Sequence, residues 1–332
     1  MTMRKFINDS DNLVQELLEG FVLANADKVK LAGSNLVVRT KEKPQDKVAI
    51  VTLGGSGHEP ALSGYVGEGM LDISVPGEIF AAPGPPRVIE ALRLANRPAG
   101  VVFIVLNHAG DVMSANVAME MAQREGLNVK MVLTHEDISS GSRQDPSDRR
   151  GLVGCFPVIK AVGAAAEAGK SLDECVAIAE KLEGNLATLA VAVSGATHPA
   201  TGDVIAEVDA GKMVVGMGQH GEAGGGTYDL MTADGTIGHM LKAVLADLDM
   251  QSGEKAFALI NGVGATTLME QYILLRAVKY GLEDKGITLA VGWAGNYLTV
   301  QEQAGFQLCV GRVDDTMIEL LEAPCSSPAI SR

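Results

Sequence analysis

Val101-Val102-Phe103-Ile104-Val105-Leu106, running straight into Asn107-His108-Ala109-Gly110-Asp111, decides the fold. An unbroken apolar run rich in β-branched residues reads as a strand suited to burial on both faces. Residues 115–125 then read as a helix and 129–133 as a further strand. Strand, helix, strand in that order implies parallel pairing through right-handed crossovers. Upstream, Val48-Ala49-Ile50-Val51-Thr52-Leu53 gives a second strong strand that stops at Gly54, with a shorter one over 36–38. Pro76-Gly77-Glu78-Ile79-Phe80-Ala81-Ala82-Pro83 reads as a loop, and a helix follows Pro85-Pro86 as far as Leu94. Ligands of such sheets sit outside the carboxyl ends of the strands, so the loops at 54–60 and 107–111 face one pocket.

The same reading extends outward. Asp9 or Ser10 caps a helix whose apolar face carries Leu13, Leu17, Leu18, Phe21 and Val22. Residues 137–150 are polar and read as an exposed loop, and a helix over 158–167 stops at Gly169. Ser171-Leu172-Asp173-Glu174 forms a capping box for the next helix. The second half alternates in the same rhythm, with strands over 189–193, 213–215, 256–260, 287–291 and 306–310 and helices over 237–248 and 268–280. The expectation is an α/β protein of two domains, 1–184 and 185–332, with mostly parallel or mixed sheets.

A length of 332 residues supports two cores. Lys and Arg number 27 against 41 Asp and Glu, a net charge of −14 that argues against nucleic acid or an anionic membrane as partner. Cys155, Cys175, Cys309 and Cys325 form no paired motif and read as reduced thiols rather than a disulfide or zinc framework. The first nine residues carry no apolar signal core, and no stretch approaches the ~20 apolar residues of a membrane helix. A cytoplasmic protein is expected.

Chemistry concentrates in glycine-rich loops. Gly216-Met217-Gly218-Gln219-His220-Gly221-Glu222-Ala223-Gly224-Gly225-Gly226 follows an apolar strand and mounts one histidine where little side-chain bulk surrounds it. Its Gly-x-Gly-x-x-Gly spacing resembles a dinucleotide fingerprint, but more glycine follows where a helix should start. Gly169-Lys170-Ser171 lacks the upstream glycine of a P-loop and is explained by a helix stop and a helix cap. His58-Glu59 has no second histidine at zincin spacing, and no metal site is expected. Gly54-Gly55-Ser56-Gly57-His58, Asp111 and His220 remain: two imidazoles and a carboxylate at strand ends, suited to nucleophilic and acid/base work near neutral pH. Taken singly, a histidine is solvated or merely hydrogen-bonded, which is the reading for His108, His135, His198 and His239.

Together, Gly54-Gly55-Ser56-Gly57-His58-Glu59-Pro60, Pro76-Gly77-Glu78-Ile79-Phe80, Gly110-Asp111, Arg149-Arg150-Gly151 and His220-Gly221-Glu222 resemble the substrate-binding K subunit of dihydroxyacetone kinase. The opening Ile7-Asn8-Asp9, Gly262-x-Gly264-Ala265-Thr266, Gly295-Asn296-Tyr297 and Ala323-Pro324 fit as well, so the resemblance spans the chain. It implies the K-domain fold and covalent capture of a short ketose as a hemiaminal on His220, with His58 as general base and Asp111 as acid/base. Gly55, Ser56, Gly57, His58 and Asp111 would contact the substrate. The resemblance further implies that this chain binds no cofactor of its own. Mg-ATP, or Mg-ADP recharged from phosphoenolpyruvate, would sit on a separate L subunit, and the K chains would form a homodimer. A ketose sensor that regulates transcription through a partner is the alternative.

The sequence also departs from the family pattern. Leu106 stands where a lysine usually hydrogen-bonds a substrate hydroxyl, and losing such a bond costs about 1 kcal/mol or more. His108 replaces an aromatic residue, Ser114-Ala115 replaces Asn-Phe, and Gln219 replaces an isoleucine. Dihydroxyacetone and erythrulose are both open as the ketose.

Overall fold

In chain order the first half runs α1 (Leu13–Ala24), β1 (Val29–Ala32), β2 (Leu36–Arg39), β3 (Ala49–Ser56), β4 (Ile73–Ile79), α2 (Pro85–Ala95), β5 (Val101–Leu106), α3 (Ala109–Arg124), β6 (Val129–Thr134), α4 (Cys155–Glu167) and α5 (Leu172–Glu183). The second half runs β7 (Leu186–Ala192), β8 (Ala196–Thr197), β9 (Val204–Ile205), β10 (Lys212–Val215), β11 (Gly226–Asp229), α6 (Ala233–Leu248), β12 (Lys255–Gly262), α7 (Leu268–Glu283), β13 (Thr288–Gly295), β14 (Gly305–Arg312) and α8 (Asp315–Glu322). This computed structural model describes residues 5–222 and 224–332; residues 1–4 and 223, parts of the N-terminal and glycine-rich stretches read above, lie outside the described residues.

The first sheet has the order β1-β2-β4-β3-β5-β6. Its four strands from β4 to β6 are parallel, and β1 and β2 join antiparallel at one edge. The second sheet has the order β11-β10-β7-β14-β12-β13, in which only β12 and β13 pair parallel. The fold is therefore α/β with mixed sheets. This agrees with the expected α/β class; in the second half β12 and β13 pair parallel across the crossover helix α7.

β5 shows how the layers form. Val101, Phe103 and Val105 join a core with α2 and α3, whereas Val102, Ile104 and Leu106 face a middle layer that contains α4 and α5. On the second sheet Phe257 and Leu259 of β12 face that same middle layer, and Ala256, Ala258 and Ile260 face α6 and α7. α4 is buried along Cys155–Ala166, as its apolar all-round sequence requires of a helix between two sheets. Full burial of each large apolar side chain contributes about 1.5–3 kcal/mol, so this middle layer binds the two sheets firmly. The one cation in α4, Lys160, donates to the carbonyl of Leu320 near the C-terminus of α8 at 2.9 Å. All four cysteines are free and buried. Among the described residues no helix is long and apolar enough to cross a membrane.

Three local expectations need correction. Residues 76–79, read as part of a loop over 76–83, form the end of β4; Pro76 is tolerated because β2 pairs only with Ile73 and Ser74, leaving that side of Pro76 without a ladder partner. α3 starts at Ala109, earlier than read, because Gly110 and Asp111 form its first turn, where an acidic residue is favoured. The stretch 137–150 is not simply exposed, since Asp137, Arg149 and Arg150 are buried. Arg150 pairs with Asp137 at 2.7 Å and Arg149 with Asp247, which ties this segment to the second half.

The seam between the sheets is hydrogen-bonded. Thr188 of β7 donates its N–H to the carbonyl of Glu136 at 2.8 Å and accepts from the N–H of Ile138 at 3.1 Å.

Candidate active site

β3 ends in the Gly-Gly-Ser-Gly loop that carries His58. Gly57 takes φ 99°, and a Cβ there would lie 2.8 Å from the Phe80 ring, so only glycine lets the loop turn against that ring. His58 is 6% exposed. Its Nδ1 lies 2.7 Å from the carbonyl oxygen of Thr299, which only accepts, so Nδ1 carries the proton and Nε2 the lone pair. The second half clasps this loop: Thr299 donates its N–H to His58 O at 3.1 Å and its hydroxyl to Glu59 O at 2.8 Å. Gln301 Nε2 donates to Gly57 O at 3.0 Å.

His220 arrives from the other sheet, on the loop after β10. Its backbone N–H donates to Glu222 Oε2 at 2.9 Å and its Nδ1 to Glu222 Oε1 at 3.2 Å. With Nδ1 engaged, the lone pair of His220 is on Nε2, and this atom faces His58 Nε2 at 3.3 Å. Burial, then the neighbouring His220, push the His58 imidazole down to about 3, so it is neutral at physiological pH. Burial pushes the Glu222 carboxyl up, but the hydrogen bonds from His220 and from backbone N–H groups prevail and hold it at about 2. Arg150 steadies the loop from behind by donating to Gly216 O at 2.9 Å.

Asp111, in the first turn of α3, lines the same cleft of about 230 Å³ as His58 and His220. Its Oδ1 is buried without a hydrogen-bond partner among the described residues. Burial pushes its carboxyl up to about 7, and His220 opposes the shift. Gly55 and Leu106 also line the cleft. Ser56 instead donates its hydroxyl to Gly77 O at 2.8 Å, and Gly57 its N–H to Glu59 Oε1 at 2.9 Å.

Two lining residues, His108 and Gln219, were not singled out for chemistry by the sequence, although both occupy positions where the family pattern is broken. They converge on one atom: His108 Nε2 donates to Gly151 O at 2.8 Å and Gln219 Nε2 to the same oxygen at 3.4 Å. Gly151 has to be glycine, because a Cβ would stand 2.6 Å from Thr134 O and 2.9 Å from Asn107 N. Burial, then His220, push the His108 imidazole down. His135 pairs with Glu183 at 2.9 Å, away from these groups.

A further buried carboxyl supports the seam. Glu136 Oε1 accepts the N–H groups of Leu152 at 2.9 Å and Gly154 at 2.7 Å, while Oε2 has no partner among the described residues. Burial raises its pKa from 4.5 to about 7. The folded chain therefore holds this proton more tightly than the unfolded chain. The resulting stability is complete below pH 4.5 and is lost as pH rises through about 7. The shift corresponds to about 3 kcal/mol. Urea unfolding of Glu136→Gln is expected to show a weaker fall in stability between pH 5 and pH 8 than the wild type; parallel curves would contradict this.

Fold and cleft together define an α/β protein that presents imidazoles from two sheets to one cleft of about 230 Å³. The chain belongs to the Dak1 domain family, whose model matches residues 19–329. It is 35% identical to the PTS-dependent dihydroxyacetone kinase 1, dihydroxyacetone-binding subunit DhaK, of Listeria innocua, over 98% of this chain and 100% of that one. It is 34% identical to the L-erythrulose kinase of Pectobacterium atrosepticum, over 99% of this chain and 56% of that protein. A solved structure of the dihydroxyacetone kinase operon co-activator DhaQ superposes with a TM-score of 0.88 at 29% identity, covering 95% of this chain and 96% of that one. The curated relatives are named as a kinase subunit and a kinase, and the class they support for this family is a kinase-type phosphotransferase.

Proposed function

We propose that this chain is the substrate-binding subunit of a dihydroxyacetone-type kinase. It holds a short ketose covalently on His220 and presents the ketose hydroxyl to a phosphoryl donor on a separate L subunit. The observation that carries this reading is the 3.3 Å approach of the two Nε2 atoms of His58 and His220, each left with a lone pair because its Nδ1 is engaged elsewhere. Two lone pairs facing each other do not bond; the gap suits an electrophile with a hydroxyl beside it.

In this reading His220 Nε2 adds to the ketone carbon, and the carbonyl π electrons move onto oxygen. Positive charge develops on the ring and weakens the Nδ1–H bond, so that proton passes by way of Glu222 to the new alkoxide. The net change is addition of N–H across C=O. His58 Nε2, the general base of this reading, accepts the hydrogen bond of a substrate hydroxyl and holds the ketone against His220; it ends the step unprotonated, because the transferred proton runs from His220 to the alkoxide. Asp111 takes the proton of the terminal hydroxyl as its oxygen attacks phosphorus. A polyol has no electrophilic carbon and is not captured. The donor is Mg-ATP, or Mg-ADP recharged through a phosphoenolpyruvate relay, on the L subunit, and the K chains pair as a homodimer in the cytoplasm. Gly55, Ser56, Gly57 and Leu106 belong to the substrate surround, and erythrulose is the alternative ketose.

A sensor role, in which ketose capture regulates transcription through a partner, draws support from the likeness to the DhaQ co-activator. Asp111 favours transfer over sensing, since capture alone needs no base for a terminal hydroxyl. The test is a panel of dihydroxyacetone, erythrulose and glycerol, with the purified chain, L subunits, and either ATP or a phosphoenolpyruvate relay. Intact-mass spectrometry and phosphorylated product are the readouts. A ketose adduct and product are expected, with no adduct from glycerol. A ketose adduct without transfer by any donor would favour the sensor.

A further inference from the structure

His108 has no part in the transfer reaction described above, yet it stands in the cleft with an unengaged ring nitrogen. Its Nε2–H is committed to Gly151 O at 2.8 Å, which leaves the lone pair on Nδ1. Its ring lies edge-on to that of His220, with centroids 5.5 Å apart and planes at 76°. One donor atom from each of His108, His220 and Glu222 lies within 4.8 Å of the other two. We propose that these three residues form a binding site for a divalent first-row transition metal of the zinc type, open to the cleft.

The donor set argues for that class of ion. Two imidazoles and one carboxylate with an open position is a zinc arrangement, whereas magnesium and calcium prefer oxygen-only surroundings. The hydrogen bond from His108 to a backbone carbonyl is the outer-shell contact that fixes the tautomer of a metal-ligating histidine. Glu222 is positioned by the backbone N–H of His220 as well as by its ring. The nearest opposing charge is Arg150, with Nη1 3.9 Å from Glu222 Oε2, and that cation is already paired with Asp137 at 2.7 Å.

The site has a consequence for the reaction. A neutral imidazole carries one in-plane lone pair, so a His220 ring that ligates a metal through either nitrogen has none left to add to a ketone. Metal and ketose therefore exclude each other, and by linkage each weakens the other's binding by the same factor. The metal site stands on its own geometry; the exclusion rests on the ketose-capture reading. His108 would thus make the chain responsive to zinc.

The test uses the full chain, freed of metal by chelator and titrated with zinc alone against a chromophoric competitor. Cobalt absorption provides a second readout. One equivalent of tightly bound zinc is expected, with binding weakened by about tenfold or more in His108→Phe and in Glu222→Gln. Phenylalanine keeps the ring volume at position 108, and melting curves check that both variants fold. Wild-type zinc affinity in both variants, or no zinc binding by the native chain, would overturn the site. Zinc binding that depends on His108 but is indifferent to saturating dihydroxyacetone would overturn the exclusion and the capture reading while leaving the metal site standing.

Discussion

In the His220→Ala chain, incubation with dihydroxyacetone is expected to leave the intact mass unchanged, and phosphoryl transfer to fall by about 10³-fold or more. Alanine removes the Nε2 that faces His58 at 3.3 Å, and no other described lone pair approaches His58 Nε2 in the same way. The side chain of His220 is about one-third exposed, and among the described residues its ring hydrogen-bonds only Glu222, so the variant is expected to fold. Capture and transfer should fail together, because a ketose held only by hydrogen bonds is neither fixed in orientation nor distinguished from a polyol. Adduct mass surviving in His220→Ala would remove the covalent mechanism. Loss of transfer with the adduct intact would instead move His220 out of the capture step.

Asp111→Asn is expected to separate the two steps. Asparagine has nearly the shape of the carboxylate but cannot take up a proton, so kcat should fall by about 10²–10⁴-fold while the ketose adduct on His220 still forms. The wild-type rate should rise with pH as Asp111 ionises, with a midpoint near 7, since burial has pushed its carboxyl up to about 7 and only the ionised form accepts the proton. That limb should vanish in the variant. Unchanged turnover in Asp111→Asn, or a wild-type profile flat from pH 6 to 8, would take the base role away from this residue.

The strands were legible wherever a strand is apolar on both faces: the run 101–106 coincides with β5. Ser171 likewise caps α5 through a complete capping box with Glu174. β4 was missed because proline and glycine punctuate it, and their tolerance depends on a neighbour strand that no local pattern reveals. β1, β11 and α8 are short and owe their places to pairing and packing. Among candidate site residues, His58, Asp111 and His220 stood out through glycine-rich context, and the structure brings them to one cleft. His108 was not, because its significance lies in Gly151, which is distant in sequence and fixes the ring by one carbonyl. The polar stretch 137–150 misled for a related reason: Arg150 and Asp137 are buried only because each neutralises the other.

The two facing imidazoles hang from different sheets, and that makes the seam at Glu136, Ile138 and Thr188 a gauge block for the chemistry. A slight rotation of one sheet against the other, magnified along the loops, would open or close the gap between the Nε2 atoms by a large fraction of its 3.3 Å. Misplacement by about 1 Å is enough to cost a reaction about 10²-fold. On the proposed capture mechanism, reactivity toward ketones would be a sensitive ruler for this joint, and wear there would register as lost chemistry before the fold itself gave way.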